Sequence, residues 1–313
     1  MMRTEPVLLL DLGNTRLKWQ LVQDSQVRAQ GHGLARCLDD LRGESSVMDQ
    51  LSRDGLGSRL GNATAPVIRV FGGAVGASAV RAWLTDWFDE RHGLSVSWVC
   101  SRASIELTMP DCVIALRQPY AEPERLGVDR WLAALGLLGL LARRQWPGPG
   151  TSWQGIGAES RLLALVSAGT ATVVDALVLR QQDAQIQAEM SGGLIYPGFE
   201  LMRSGLAAQT ADLANYVVAA RDQVVSPQMP TNSIAAIGAG IAAAQVGAIH
   251  WLGPVDGVVV HGGHAKDWLD AYAVARAAPG HGQIDSLAQA SLAPDLVLTG
   301  LSLLAESSEG SRS

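Results

Sequence analysis

The sequence predicts an α/β protein made of two similar halves, and three observations predict it. Short β-branched or leucine-rich runs alternate with longer alanine-rich stretches along 313 residues. A strand, a tight polar turn and a second strand open the chain at residues 8–21, and a unit of the same plan recurs at residues 162–178. Length agrees, because a chain of this size is long for one compact core. Residues 1–125 are expected as an N-terminal domain, 126–306 as a related C-terminal domain, and 307–313 as a frayed polar tail.

Each element follows from local pattern. An apolar run over residues 7–10 delivers Asp11 to a strand end, and Gly13, Asn14 and Thr15 then reverse the chain with residues suited to turns and positive φ. Leu17, Trp19 and Leu21 alternate with Lys18 and Gln20, the period of a strand. A third strand is expected near 26–29, a helix over 38–51 and a strand over 67–71. The glycine-rich stretch 72–76 lacks the full GxGxxG spacing and reads as a structural turn in preference to a phosphate loop. A helix over 78–91 and a strand over 94–99 complete the first half. The second half opens with a helix containing 127–142, followed by a loop at 147–152. Its hairpin pairs 162–166 with 171–178 around Ser167, Ala168, Gly169 and Thr170. A helix over 233–250 and a strand over 257–260 ending in His261, Gly262 and Gly263 finish it.

Composition narrows the function. Apolar residues make up 48% of the chain and charged ones 17%, which excludes general disorder. The net charge is −6 and no basic run occurs, so neither a nucleic acid nor an anionic membrane surface is an expected partner. Cys37, Cys100 and Cys112 are odd in number and lack CxxC spacing, which indicates no disulfide framework or structural zinc and a reducing, cytoplasmic location. The apolar N-terminal stretch is too short for a signal peptide. The longest apolar run, 131–142, falls short of the roughly 20 residues that span a bilayer.

The opening hairpin gathers a carboxylate, small hydrogen-bonding side chains, backbone N–H groups and a lysine within eight residues. Those are the groups that hold nucleotide phosphates, with Asp11 able to hold hydrated Mg²⁺. From these residues alone an ordinary hairpin, in which Asp11 and Asn14 merely shape the turn, is an equal reading. The similar turn at Gly169 and Thr170 suggests a duplicated fold with a nucleotide between its halves.

Five motifs in order carry a resemblance from Leu8 to Leu304. They are Asp11-x-Gly13-Asn14-Thr15-x-x-Lys18, Gly127-Val128-Asp129-Arg130, Gly169-Thr170-Ala171-Thr172, the run from Gly192 to Gly198, and the run from Pro294 to Leu301. Together they resemble the type III pantothenate kinases, a family that includes the Bvg accessory factors. It belongs to the acetate kinase, sugar kinase, Hsp70 and actin superfamily. The resemblance implies two duplicated actin-like (ribonuclease H-like) ATPase domains, each a mixed sheet flanked by helices, and a homodimer. It implies transfer of the ATP γ-phosphate to pantothenate, the first step of coenzyme A synthesis. In that scheme Asp129 accepts the hydroxyl proton, Arg130 pairs with the pantothenate carboxylate, and Tyr120, Gly127, Val128 and Ser233 also contact pantothenate. Asp11, Leu12, Gly13, Asn14, Thr15, Arg16, Leu17 and Lys18 bind ATP with Mg²⁺ at Asp11, joined by Gly169, Thr170, Gly262 and Gly263. Without the resemblance, Asp129 and Arg130 read as a surface pair near a helix start, Tyr120 as a packed tyrosine and Ser233 as a helix N-cap.

One departure bears on chemistry. The family commonly carries an aspartate, a ligand for K⁺ or NH₄⁺, two residues before the glycine of its second turn. This chain has Ser167 there, and a neutral hydroxyl holds a monovalent cation less well than a carboxylate. Two alternatives stay open: another small-molecule kinase of the superfamily, such as a sugar kinase, and a non-catalytic regulatory binding protein. A neutral sugar gives Arg130 no carboxylate to bind, and an intact Asp11, Lys18 and Asp129 weigh against a silent protein.

Overall fold

A computed structural model describes residues 5–42, 45–56, 69–145, 159–210, 212–220, 226–277 and 288–310. The chain forms two compact units, the first from residues 1–114, 120–144 and 295–313 and the second from 115–119 and 145–294. In chain order the first unit begins with β1 (Val7–Leu12), β2 (Arg16–Gln23), β3 (Gln26–Leu34), α1 (Leu38–Leu41), α2 (Val47–Gln50), β4 (Arg69–Ala74), α3 (Ser78–His92) and β5 (Val96–Trp98). The hairpin of β6 (Ser104–Thr108) and β7 (Val113–Arg117) and the helix α4 (Val128–Ala142) follow. The second unit contains β8 (Arg161–Ala168), β9 (Ala171–Gln182), β10 (Gln185–Pro197), α5 (Phe199–Gln209), α6 (Ala214–Ala219), α7 (Ser233–Gly247), β11 (Gly257–His261), α8 (Ala265–Ala277) and β12 (Ala290–Leu292). The chain returns to the first unit for α9 (Leu296–Gly310).

The two units share one sheet plan. In the first the order is β3-β2-β1-β4-β5, an antiparallel meander of three strands followed by two parallel ones. In the second sheet, of seven strands, the five β10-β9-β8-β11-β12 repeat that order and those directions, and β7 and β6 continue it past β10. The duplication extends to the turns. After β4, the N–H groups of Val75 and Gly76 bond the carbonyl of Leu12, the last residue of β1. After β11, the N–H of His264 bonds the carbonyl of Ala168, the last residue of β8. Both crossovers approach the hairpin too closely for a side chain: a Cβ on Gly76 would lie 2.6 Å from the Gly13 carbonyl, and one on Gly262, whose φ is +106°, would lie 2.4 Å from that of Ala168.

Burial explains the order of elements. Every residue of β1 is buried, because helices cover both faces of its sheet. Leu8, Leu10 and Leu12 join Val80, Leu84 and Phe88 of α3 in one core. On the other face lie α9 and, at β4, α4. Helix α4 is buried all round from Val128 through Leu140 apart from Asp129, as its unbroken apolar character requires. It runs parallel to α9 in near-backbone contact, for Cβ atoms on Gly136 and Gly300 would lie 2.1 and 2.2 Å from the carbonyl oxygens of Leu296 and Leu132. The parallel direction brings both helix N-termini to one end of the unit.

Several expectations change. The helix expected over 38–51 is broken into α1 and α2, separated by Ser45 at φ +70° and restarted by Ser46, whose hydroxyl accepts the Asp49 N–H. Gly72 and Gly73 lie inside β4, and only Gly76 serves the turn. The expected tail is helical through Gly310. The expected boundary at 125/126 falls inside the first unit, which keeps α4 through its packing on α9 and β4. Strands β6, β7, β10 and β12 and helices α5, α6, α8 and α9 had no expectation attached. The residues 67–68, the loop 147–152 and the last three residues lie outside the described residues. Cys37, Cys100 and Cys112 are all unpaired.

The α4–α9 contact leaves no room for a methyl group. Gly136→Ala is expected to cost about 2–3 kcal/mol, the scale of overpacking a tight contact, as read from the urea midpoint at constant m-value.

Candidate active site

Asp11, the fifth residue of β1, stands directly opposite Lys18 across the β1–β2 ladder. Cross-strand register therefore brings a carboxylate and an ammonium together without help from the turn. Asp11 is 8% exposed. The Lys18 Nζ lies 3.7 Å from Asp11 Oδ2 but only 2.5 Å from Asp295 Oδ2. Asp295 precedes α9 and is tied to its first turn: its carbonyl accepts the Thr299 N–H and hydroxyl at 3.0 and 2.8 Å, and its Oδ1 faces the Leu298 N–H at 3.4 Å. Lys18 and Asp295 also line an open polar cleft of about 540 Å³ with Gln20, Gln30 and His32.

Asp129 is the second residue of α4, and its Oδ1 accepts the Arg130 N–H at 2.9 Å. Arg130 is 6% exposed, and its guanidinium lies 5.6 Å from the centre of the Tyr120 ring, within cation–π range. The reading of these two as a surface pair is thereby overturned: helix α4 carries Arg130 into the interior, where a charged group is retained only with partners.

The charges strain one another. Burial, and next the like charge of Asp295, push the Asp11 carboxyl up to about 7; Asp129 adds to this and Lys18 opposes it. Burial would lower Lys18, but Asp295 and Asp11 outweigh it and hold the ammonium above its ordinary value. Burial also raises Asp129, against the Arg130 N–H and guanidinium. A buried carboxylate this poorly compensated fits a hydrated divalent cation, which would favour its ionised form.

The turn itself is plainer than expected. Gly13 N–H closes on the Arg16 carbonyl at 2.9 Å, and none of Gly13, Asn14 and Thr15 takes positive φ. Leu12 and Leu17 are fully buried in the core, so only their main chain can face a ligand, while Asn14 and Arg16 are exposed and Thr15 half-buried.

In the second unit, Gly169 N–H closes the corresponding turn on the Ala171 carbonyl at 3.0 Å, and Thr170 is exposed. The exposed pair Gly262 and Gly263 follows β11. Ser167 occupies the place in β8 that Asp11 occupies in β1, and its hydroxyl is 2.5 Å from His261 Nε2. Ser233 is exposed at the first turn of α7, but the cap is Asn232, whose side chain accepts the Ala235 N–H at 2.9 Å; the N-cap reading of Ser233 is corrected accordingly. The fully buried Gln245 ties the unit together from behind its turn. It accepts from the Thr172 hydroxyl at 2.6 Å, donates to the Pro197 carbonyl at 2.8 Å, and receives Tyr196 and Trp268 on its own carbonyl.

Sequence reasoning missed Asp295 and Gln245. Asp295 lies in the last of the five motifs, but no local pattern says that its carboxylate meets a lysine 277 residues away. Gln245 lies in an alanine-rich helix, where a lone amide was the available signal.

Two copies of this five-stranded plan, the first bearing the buried Asp11 opposite Lys18 at its hairpin, define an actin-like ATPase fold. The family model and the curated relatives agree on the family. A model of the type III pantothenate kinases matches residues 7–252. A type III pantothenate kinase of Cupriavidus pinatubonensis is 36% identical over 252 residues, covering 78% of this chain and 81% of the relative. One from an Azoarcus species is 32% identical over 305 residues, covering 96% and 90%. Among solved structures, ADP-bound MreB5 of Spiroplasma citri aligns over 99% of this chain and 98% of its own at 10% identity, with a TM-score of 0.47. The chain belongs to the type III pantothenate kinase family.

Asp11 also has a stability consequence. Its folded pKa, about 7, stands above the unfolded value of 3.8, so the contribution from its protonation is fully present below about pH 4 and is lost as pH rises through 7. Without ligand, Asp11→Asn is therefore expected to melt higher than the parent at about pH 8, with the difference shrinking toward about pH 4 in parallel scanning-calorimetry runs.

Proposed function

We propose that this chain phosphorylates pantothenate with ATP, with Asp129 as the base. The observation that carries the reading is the gathering of Asp11, Lys18, Asp129 and Arg130 within one unit of a type III pantothenate kinase family member. Asp129 takes the proton of the terminal hydroxyl of pantothenate as that oxygen bonds to the γ-phosphorus. The bond from phosphorus to the bridging oxygen breaks in the same step, its electron pair staying with the departing ADP. A raised pKa makes Asp129 a better base than an exposed aspartate. Phosphoryl transfer through a loose transition state depends mostly on placement and charge neutralisation. Lys18 supplies a cation for the phosphates, and the main-chain groups of Leu12, Gly13, Asn14, Thr15, Arg16 and Leu17 line the same turn. Asp11 would hold Mg²⁺ through water, and the metal would neutralise charge on the phosphates. Arg130, backed by Tyr120, offers a planar guanidinium to the pantothenate carboxylate, with Gly127 and Val128 at the start of the same helix. Gly169, Thr170, Gly262 and Gly263 are proposed ATP contacts, and Ser233, free of the cap, a pantothenate contact.

The Ser167 site does not fit a monovalent cation well. Its hydroxyl is engaged by His261, and a neutral hydroxyl stands where a carboxylate ligand would be. The proposed reaction therefore uses no K⁺ or NH₄⁺ step. The proposed setting is the cytoplasm.

A homodimer is proposed through α7. The helical stretch from Ser233 to Leu252 is long and apolar enough to cross a membrane, yet only 33% of its most apolar window is buried in this chain. Ala236, Gly240, Ala243 and Ala244 form an exposed stripe along it, with Trp251 83% exposed beyond and Val218 of α6 74% exposed. An apolar surface of this kind suits a second copy. Light scattering should give the mass of two chains for the parent and one for Gly240→Arg, and a parent of single-chain mass would refute the dimer.

The test of activity is ADP release with ATP, Mg²⁺ and pantothenate, run with and without K⁺. The parent is expected to turn over in both. Asp129→Asn is expected to lose about 10²–10⁴-fold in kcat while still binding ATP, the range for removing a general base. An Asp129→Asn variant as fast as the parent would exclude Asp129 as the base.

A further inference from the structure

A cross-strand Asp and Lys with nothing else nearby pair with each other. Here the Lys18 ammonium instead stands 2.5 Å from Asp295 and 3.7 Å from Asp11. The difference is built into the scaffold. Asp295 is carried on the first turn of α9, α9 is locked to α4 where Gly136 and Gly300 meet opposing carbonyls, and it packs on β1 and β2. The position of Asp295 is thus set by helix packing and not by its contact with Lys18, and it draws Lys18 across toward the cleft the two residues share.

We propose that Asp295 is a positioning residue that holds the Lys18 ammonium off Asp11, leaving the Asp11 carboxylate open for the hydrated metal of a metal–nucleotide complex. This rests on the kinase reading above. Without the Asp295 charge, the acid that remains within ion-pair distance of Lys18 among the described residues is Asp11, and the ion pair that forms covers the oxygens the metal would use. The same loss frees Lys18 from a competitor for phosphate. The two effects have opposite signs: metal-free nucleotide gains or holds its affinity, and the metal complex loses.

The experiment is calorimetric titration with ADP, once in EDTA and once in excess Mg²⁺, of the parent, Asp295→Asn and Asp295→Ser. Both substitutions keep a helix-capping side chain before α9 and remove the charge. The affinity gained from Mg²⁺, the ratio of the two Kd values, is expected to fall roughly tenfold in each variant, about the worth of one charge-assisted hydrogen bond, with no loss of metal-free ADP binding. A crystal structure of either variant should show the Lys18 Nζ in hydrogen-bond contact with Asp11. An unchanged ratio, or equal weakening with and without Mg²⁺ as a merely structural role would give, overturns the proposal while leaving the kinase reading intact. A parent that binds no ADP in either condition overturns both.

Discussion

The first unit depends on the meeting of two helix backbones. At Gly136 and Gly300 the helices α4 and α9 approach until each glycine would drive a Cβ into the other's carbonyl. Such an approach permits little sliding or rotation, because any larger side chain at either position would force the helices apart. Since the helices run parallel, one fixed crossing sets both N-termini, seven residues upstream of Gly136 at Asp129 and five upstream of Gly300 at Asp295. Helix N-termini favour negative charge, so each carboxylate stands where its own helix stabilises it. Asp129 and Asp295 are thus placed by packing that involves neither carboxylate.

That placement has an electrostatic cost. Burial, Asp295 and Asp129 act together on the Asp11 carboxyl, and the single ammonium of Lys18 does not compensate them. A fold selected for stability alone would not keep the Asp11 carboxyl pushed up to about 7, well above the ordinary carboxylate range. A cation-binding site, in contrast, needs negative charge in excess before the cation arrives. The composition repeats the economy: the chain has 22 arginines and only two lysines, and one of the two is Lys18. A compact ammonium on a flexible stem can move between two carboxylates and a phosphate, a freedom that the planar fork of arginine lacks.

How much of this was legible in the sequence follows from the range of each interaction. The hairpin, α3, α4 and the β8–β9 pair were legible because apolar periodicity and turn residues act within a few positions. Asp11 opposite Lys18 was legible for the same reason, since register across a short turn is local. The break between α1 and α2 was not, because the apolar spacing of 38–51 continues through it and only the left-handed Ser45 and the Ser46 cap reveal the interruption. Arg130 read as a surface residue because its burial depends on what surrounds α4. Asp295 was out of reach for a related reason: its partner is on the first hairpin, and the strand and helix packing that joins them spans nearly the whole chain. Glycines were read as turn formers, yet those at 136 and 300 matter for the space they leave between helices.

The duplicated plan also shows how one scaffold supports two kinds of chemistry. The penultimate residue of the first strand is Asp11 in one unit and Ser167 in the other, and the crossover that returns to the hairpin presents Gly76 in one and Gly262 in the other. The backbone solution is the same in both: a strand end whose carbonyl is satisfied by the next crossover, and a turn left open at its tip. What differs is the charge placed on it. The first unit concentrates carboxylates and a lysine there, while the second offers a hydroxyl already engaged by His261 and turn residues with little side chain. A carboxylate at position 167 would give the second unit the same desolvation cost that Asp11 imposes on the first, with no lysine in register to offset it, because Val173 stands opposite Ser167 where Lys18 stands opposite Asp11. A neutral serine is thus a residue that this second hairpin can hold without a bound cation.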